Sequence, residues 1–115
     1  TNQGDYNMGK KLTVNDASFD RALAKYEKAA MIEFFAPWCP HCVRMEPVMD
    51  KLAGEFEGKA GILAVNVDDS PLASQRYGVS GIPAFVFIKN GKVQDSVSGE
   101  MPEEELKKRI SALLA

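Results

Sequence analysis

Apolar residues along this chain form several short runs, separated by segments in which they recur at helical spacing. The longest run, Ala30 to Ala36, is almost continuously apolar, which is typical of a central strand covered on both faces. Shorter runs predict strands at Lys11 to Val14, Ile62 to Val67 and Ala84 to Ile88. The order of these runs and of the segments between them predicts one alternating α/β unit.

Two helices are predicted on either side of the central run. The first follows Asn15 or Asp16, either of which could cap it, and has apolar residues at helical spacing from Phe19 to Tyr26. The second begins at the cysteines and contains Pro47, which we expect to kink it. The expected buried positions of this second helix are Cys42, Met45, Met49, Leu52 and Phe56.

The last part of the chain predicts a short helix, a hairpin and a closing helix. Asp68 to Pro71 is expected to cap the short helix, which ends at Tyr77-Gly78. Asn90-Gly91 is a strong hairpin signal before a strand at Lys92 to Ser98. On that strand, Val93 and Val97 are spaced for one face. The closing helix has acidic residues first and basic residues later, which matches the helix dipole, and we interpret its charges as a solvated face.

Composition limits the class of protein. A chain of 115 residues is expected to form one domain that buries roughly two-thirds of its unfolded surface. The net charge is −2 and the basic residues are scattered, so the sequence predicts no basic surface that would bind nucleic acid or an anionic membrane. Apolar stretches are too short to span a membrane, and we identify no signal peptide. The compartment therefore stays open between the cytoplasm and the bacterial periplasm, and we expect a monomer.

The N-terminal residues are polar and precede the first predicted strand. We interpret residues 1–10 as a flexible tail and residues 11–115 as the domain. The tail has three possible origins: a processed N-terminus, an expression remnant ahead of Met8, or a native disordered segment.

The chemistry of the chain centres on Trp38-Cys39-Pro40-His41-Cys42, which contains its only two cysteines. Proline suits the first helical position, so Pro40 places Cys39 at the N-cap. The Cys39 sulfur can then accept from the N–H groups of His41 and Cys42 and lies at the positive end of the helix dipole, which favours a thiolate. Since residues three apart share a helix face, Cys42 lies beside Cys39. The segment therefore predicts thiol–disulfide exchange.

Two other interpretations of the cysteine pair compete with this one. A stabilising disulfide is disfavoured because so short a loop removes little freedom from the unfolded chain. Structural zinc needs four ligands, and cysteine and histidine together supply at most three here. Too few cysteines are present for an iron–sulfur cluster of four thiolates, and Val43 after Cys42 excludes c-type haem attachment. We therefore expect neither a metal nor a cofactor.

The order of elements and several local motifs resemble the thioredoxin family from about Lys11 onward. The segment Phe34 to Cys39 is similar to the approach to the thioredoxin nucleophile, and Pro47 falls where thioredoxins kink this helix. Tyr77 to Pro83 resembles the segment that enters their cis-proline, and Lys89-Asn90-Gly91 and Gly99 match as well. The resemblance implies a thioredoxin fold, with a central mixed β-sheet flanked by helices on both faces, and a protein thiol–disulfide oxidoreductase.

The resemblance also implies roles for single residues. Cys39 attacks the substrate, Cys42 resolves the mixed disulfide, and Pro83 is cis beside the sulfurs. The residues expected to line the substrate groove are Trp38, Pro40, Gly81, Ile82 and Gly99. For Trp38, the alternative is a partly buried core aromatic.

Glu33 is the polar exception in the central apolar run, at a position where thioredoxins place a buried acid. Burial disfavours the charged form, so the pKa of Glu33 should rise toward neutrality and let it exchange a proton with Cys42. The alternative is a carboxylate that points to solvent at a sheet edge.

Departures from the thioredoxin pattern bear on whether the protein oxidises or reduces its substrates. Thioredoxins carry Gly-Pro between the cysteines, whereas Pro40-His41 resembles the pair in the periplasmic oxidase DsbA, although the chain has no room for that protein's helical insertion. Ala64 replaces a lysine that many family members place near the buried acid. A histidine is partly protonated around neutral pH, so His41 could stabilise a Cys39 thiolate and make the disulfide more oxidising. The alternative is a solvated histidine at a loop tip.

These observations predict an enzyme that exchanges disulfides with protein substrates and that leans toward oxidase or isomerase activity. The expected recycling partner is a reductase of the thioredoxin-reductase type or a membrane oxidase. Two alternatives remain: a general thioredoxin-type disulfide reductase, and a binding module that uses the groove without turnover.

Overall fold

The computed structural model describes residues 11–115, and the tail predicted at residues 1–10 lies outside the described residues. Its five strands are β1 (Leu12–Val14), β2 (Ala29–Phe35), β3 (Gly61–Asn66), β4 (Ala84–Lys89) and β5 (Lys92–Ser98). Its four helices are α1 (Phe19–Lys25), α2 (Pro40–Glu55), α3 (Pro71–Arg76) and α4 (Glu103–Leu113). The predicted strands agree with these bounds to within one residue at each end.

The strands form one mixed sheet in the order β1-β3-β2-β4-β5. β1 and β2 pair parallel with β3, whereas β4 is antiparallel to both β2 and β5. The central strand β2 is buried from Ala29 to Phe34, as its apolar composition predicts. The expected mixed sheet is therefore confirmed.

Helices cover both faces of the sheet. Side chains alternate along a strand, so an almost entirely apolar strand such as β2 presents apolar side chains to both faces. Met31 of β2 faces a core shared with α2 and α4, in which Met49 and Leu106 are fully buried. Its neighbour Ile32 faces the opposite core, to which α1 contributes Phe19 and α3 contributes Ala73. All the positions predicted to form the buried face of α2 are buried: Cys42, Met45, Met49, Leu52 and Phe56.

The N-cap of α1 differs from the prediction, whereas that of α3 is Ser70, within the predicted segment Asp68 to Pro71. Ser18 occupies the N-cap position of α1 and makes no side-chain cap hydrogen bond. The Asn15 side chain accepts from the Ser18 N–H at 3.1 Å, which closes a local turn. Asp16 instead accepts from the N–H groups of Leu72 and Ala73 at 3.1 and 2.9 Å, so it caps α3 from a distant part of the chain.

The hairpin between β4 and β5 is confirmed, since Asn90 and Gly91 both have positive φ values of 52° and 77°. One detail is wrong: Val93 and Val97 do not share a face. Val93 pairs with Ile88 and Val97 with Phe85, and a register shift lies between these pairs. The irregularity adds one residue to β5 and reverses its alternation.

Among the helices described between residues 11 and 115, none has the length and apolar character needed to cross a membrane.

Candidate active site

The cysteine pair lies beyond the carboxyl end of the central strand β2, at the start of α2. Pro40 is the first residue of α2, and Cys39 is the N-cap, with extended backbone angles of φ −91° and ψ 110°. The Cys42 N–H donates to the Cys39 sulfur at 3.2 Å. The second donor that the sequence suggested, the N–H of His41, makes no such hydrogen bond within residues 11–115. The N-cap geometry is as predicted, with one donor instead of two.

The two sulfurs lie 2.6 Å apart and belong to free, buried cysteines. Burial raises the pKa of the Cys42 thiol, and its hydrogen bond to Cys39 raises it further. The Ala36 backbone opposes this rise, and the nearby charge of Glu33 adds to it. Cys42 therefore favours its protonated form, and its sulfur donates to the Cys39 sulfur.

The loop before β4 brings the expected proline and its neighbours to the cysteines. The Ile82–Pro83 peptide bond is cis. Ile82 packs against a small cluster formed by Ala36, Cys39 and Cys42. Gly99 donates its N–H to the Pro83 oxygen at 2.7 Å, with a positive φ of 95° that suits glycine. Ile82 thus adjoins the cysteine pair, and Pro83 follows it in the chain and is hydrogen-bonded to Gly99.

Trp38 and Gly81 form the open side of this region, and both are exposed. With 67 % of its surface accessible, Trp38 is not a core aromatic, so that alternative is wrong. Its indole N–H donates to the Asp68 carboxylate at 2.9 Å, which fixes the ring beside the cysteines. This role of Asp68 was not predicted, although the sequence places its carboxylate directly after a predicted strand.

Glu33 lies inside the molecule, so the alternative of a solvated edge carboxylate is wrong. It sits between Ala64 and Phe85 in the sheet and is only 2 % exposed. Its Oε2 atom has no hydrogen-bond partner among the described residues. Desolvation raises the pKa of Glu33 to about 7, as predicted.

Lys11 is the cation whose charge opposes this rise in the pKa of Glu33, while Glu46 on α2 reinforces the rise. Leu12 faces the core with α1 and α3, so the preceding residue, Lys11, faces the α2 side. Its ammonium group pairs with Asp50 of α2 at 3.3 Å, and its side chain is 19 % exposed. A cation therefore stands near the buried acid although Ala64 occupies the lysine position of the family. From the sequence, Lys11 was predicted only as a strand residue.

His41 lies on the exposed side of the first turn of α2. Its Nδ1 atom is 2.9 Å from Glu100 Oε1 and 2.8 Å from Arg44 Nη2. Arg44 also donates through Nε to both Glu100 oxygens, at 3.1 and 3.3 Å. The hydrogen bond from His41, followed by that from Arg44, lowers the pKa of Glu100.

Arg44 and Glu100 were not predicted as site residues. The three-residue spacing of His41 and Arg44 on one helix was a usable signal, but nothing in the sequence linked either of them to Glu100. Within the described part of the chain, no three His, Cys, Asp or Glu side chains converge to hold a metal ion.

Comparison with known proteins places this site in a family context. A family model described as thioredoxin matches residues 10–112. Thioredoxin 2 of Chlorobaculum tepidum is 37 % identical over 102 residues, covering 89 % of this chain and 94 % of that protein. The thioredoxin of Haemophilus influenzae is 38 % identical over 99 residues, covering 86 % and 92 %. The structure of a point-mutant thioredoxin from Halobacterium salinarum superposes with a TM-score of 0.85 at 27 % identity, covering 100 % and 96 %.

Proposed function

Since the chain belongs to the thioredoxin family and is a thiol–disulfide oxidoreductase, we propose that Cys39 is its nucleophile and Cys42 its resolving thiol. The observation that carries this assignment is the asymmetry of the pair. Cys39 occupies the helix N-cap and accepts from the Cys42 N–H, whereas burial and the hydrogen bond to Cys39 raise the pKa of Cys42. The substrates are proteins with disulfides or dithiols that reach the groove beside Trp38.

In the reducing direction, the Cys39 thiolate attacks one sulfur of a substrate disulfide. A mixed disulfide forms, and the other substrate sulfur leaves as a thiolate that takes up a proton. Cys42 then gives its proton to Glu33 and attacks the Cys39 sulfur, which releases the second substrate thiolate. The substrate gains two electrons, and the cysteine pair becomes a disulfide. The oxidising direction reverses each step.

Groove residues are proposed to hold the substrate backbone beside these sulfurs. Ile82, before the cis bond to Pro83, packs on the pair, and the exposed Trp38 directly precedes Cys39. Gly81 is exposed beside Ile82, and Gly99 is hydrogen-bonded to Pro83. Pro40 begins the helix that carries the nucleophile at its N-cap.

We further propose that the protein is more oxidising than a Gly-Pro thioredoxin, with an oxidase or isomerase role. A charged His41, two residues after Cys39, would stabilise the Cys39 thiolate. Because the thiolate belongs to the reduced form, this stabilisation would raise the reduction potential. The recycling partner is then an oxidase; a reducing protein would instead require a reductase. The relatives are named thioredoxins, which favours the second candidate, a general disulfide reductase.

Trapping tests the assignment of the two cysteines. Cys42→Ser should accumulate a mixed disulfide with a disulfide-bonded protein such as insulin, because attack remains possible and resolution does not. Cys39→Ser should form no adduct and show no turnover. Adducts formed through Cys42 in the Cys39→Ser protein would reverse the two roles. A wild-type protein that binds disulfide-bonded proteins without turnover would be the binding module instead.

Equilibration with glutathione tests the direction. The wild type should have a higher potential than the variant with Pro40→Gly and His41→Pro, which restores the thioredoxin dipeptide. An equal or lower potential would favour the general reductase.

A further inference from the structure

Three charged or polar side chains meet beside the nucleophile, on the exposed face of the first turn of α2. Glu100 lies in the loop after β5, and His41 and Arg44 lie one helical turn apart on α2. The contacts involve one ring nitrogen, because His41 Nδ1 is 2.9 Å from a Glu100 oxygen and 2.8 Å from an Arg44 nitrogen.

These two contacts require different protonation states of Nδ1. A carboxylate only accepts, so the contact with Glu100 is a hydrogen bond when Nδ1 carries a proton. A guanidinium only donates, so the contact with Arg44 is a hydrogen bond when Nδ1 is bare. In the second state the single ring proton must reside on Nε2.

We propose that Glu100 and Arg44 are positioning residues that hold the His41 ring at the mouth of the active site and set, in opposite senses, whether it carries a proton. Glu100 favours the charged ring, which donates to it through Nδ1. Arg44 favours the neutral ring with the proton on Nε2, since it repels the positive charge and donates to the bare Nδ1. The inference rests on the proposed function, because the ring matters to catalysis through its charge beside Cys39.

The surrounding structure fits a positioning role. Arg44 binds both oxygens of Glu100, at 3.1 and 3.3 Å, so the carboxylate keeps a partner when the ring loses its proton. Glu100 follows Gly99, whose N–H is bonded to the Pro83 oxygen. The ring is thereby tied to the loop that adjoins the cis-proline. Other ionisable groups near this end of α2 include Cys39 at the N-cap, Cys42 in the first turn, and Asp68, which binds Trp38.

His41 is the only histidine in the chain, which makes its ring signals unambiguous in NMR spectra. The reduced protein would be labelled with ¹⁵N and titrated by NMR at low salt, since salt screens exposed pairs. The variants are Glu100→Gln and Arg44→Met, which remove one charge each from exposed side chains. Glu57→Gln and Lys59→Met are matched controls at the opposite end of α2, about 24 Å away over its 16 residues.

Glu100→Gln should lower the proton affinity of the ring about two- to fivefold, and Arg44→Met should raise it by a similar factor, as exposed charge pairs allow. In the wild type, the neutral ring should carry its proton on Nε2, and Arg44→Met should weaken that preference. The two control variants should change neither property. Shifts in the same direction for both variants, or shifts no larger than those of the controls, would overturn the inference.

Reduction potentials of the same variants separate this inference from the proposed function. If the ring responds as expected and the potential follows it, falling for Glu100→Gln and rising for Arg44→Met, both stand. If the ring responds and the potential does not, the positioning role stands, and the proposal that His41 tunes the potential is wrong.

Discussion

At the scale of single residues, Glu33 has a buried carboxyl group whose Oε2 atom has no hydrogen-bond partner among residues 11–115. Such a group favours its protonated form and can take up or release a proton near neutral pH. Glu33→Gln keeps the size but cannot carry this proton. We expect attack by Cys39 to be nearly unchanged and release of the mixed disulfide to be slowed roughly 100-fold. Stopped-flow measurements that separate the two steps would check this, and slowing of both steps alike would contradict it.

The same substitution should change the pH dependence of stability. Burial raises the pKa of Glu33 from 4.5 to about 7, so the folded state keeps a proton that the unfolded state loses first. The stability that this group contributes is complete below pH 4.5 and falls until the pH passes about 7. Glu33→Gln should therefore gain up to about 3 kcal/mol relative to wild type above neutral pH and nothing in acid. Urea denaturation at several pH values measures the difference, and a gain independent of pH would contradict the argument.

Lys11 should act on the same acid from its position just before the edge strand β1. Its charge lowers the pKa of Glu33, so Lys11→Met should move that pKa above about 7. The pH at which resolution by Cys42 accelerates should move upward with it. Lys28→Met, which removes an exposed charge, is the control. Carbon-13 NMR of the Glu33 carboxyl would follow its titration directly, and an unchanged titration would show that Lys11 acts only on Asp50.

Residue-scale features differ in how far the sequence reveals them. Cys39 at the N-cap and Glu33 in the apolar run depend on neighbours in the sequence, so local pattern was sufficient. The pairs Lys11–Asp50, Trp38–Asp68 and Arg44–Glu100 join segments far apart in the chain. No local pattern specifies them, because exposed polar side chains can find partners of opposite charge in many arrangements.

At the scale of elements, α3 depends on a carboxylate outside its own segment. Ser70 makes no side-chain cap hydrogen bond, and Asp16 accepts from two N–H groups in the first turn. Asp16→Ala should cost about 1–2 kcal/mol in the free energy of unfolding, and Asp16→Asn should retain most of it. Asp20→Ala is the control, since its ion pair with Arg76 is exposed and worth less than about 1 kcal/mol. Equal losses for Asp16→Ala and Asp20→Ala in urea denaturation would reject the cap.

Element positions were predictable because apolar periodicity determines which segments can be buried. The two errors have one physical cause, since both depend on contacts across the sheet or between loops. The Asp16 cap needs the β1–α1 loop to lie against α3. The irregularity that separates Val93 from Val97 needs β5 to pair with β4 in a particular register. A strand pattern of period two cannot show an inserted residue before the pairing is known.

At the scale of the whole molecule, the redox potential is linked to the stability of the two redox forms. Whatever stabilises the folded dithiol relative to the folded disulfide raises the potential. We propose that the difference in stability between the two forms is set near Cys39, where the dipeptide Pro40-His41 lies between the two cysteines. The fold follows from the apolar pattern along nearly the entire chain, whereas the direction of the chemistry, in our proposal, depends on two residues and their surroundings.

This linkage gives a test that requires no substrate. We define the excess as the unfolding free energy of the oxidised protein minus that of the reduced protein. If Pro40-His41 favours the thiolate, this excess should be smaller in the wild type than in the variant with Pro40→Gly and His41→Pro. Each 30 mV by which the wild type is the more oxidising should reduce that excess by about 1.4 kcal/mol. Denaturation of both redox forms of both proteins at pH 7 measures the four free energies. The cysteines of the two unfolded chains have nearly the same reduction potential. The difference in excess between the wild type and the variant must therefore match the difference in reduction potential measured with glutathione. An excess that is equal in the two proteins would show that the dipeptide does not make the disulfide more oxidising, whatever the charge on His41.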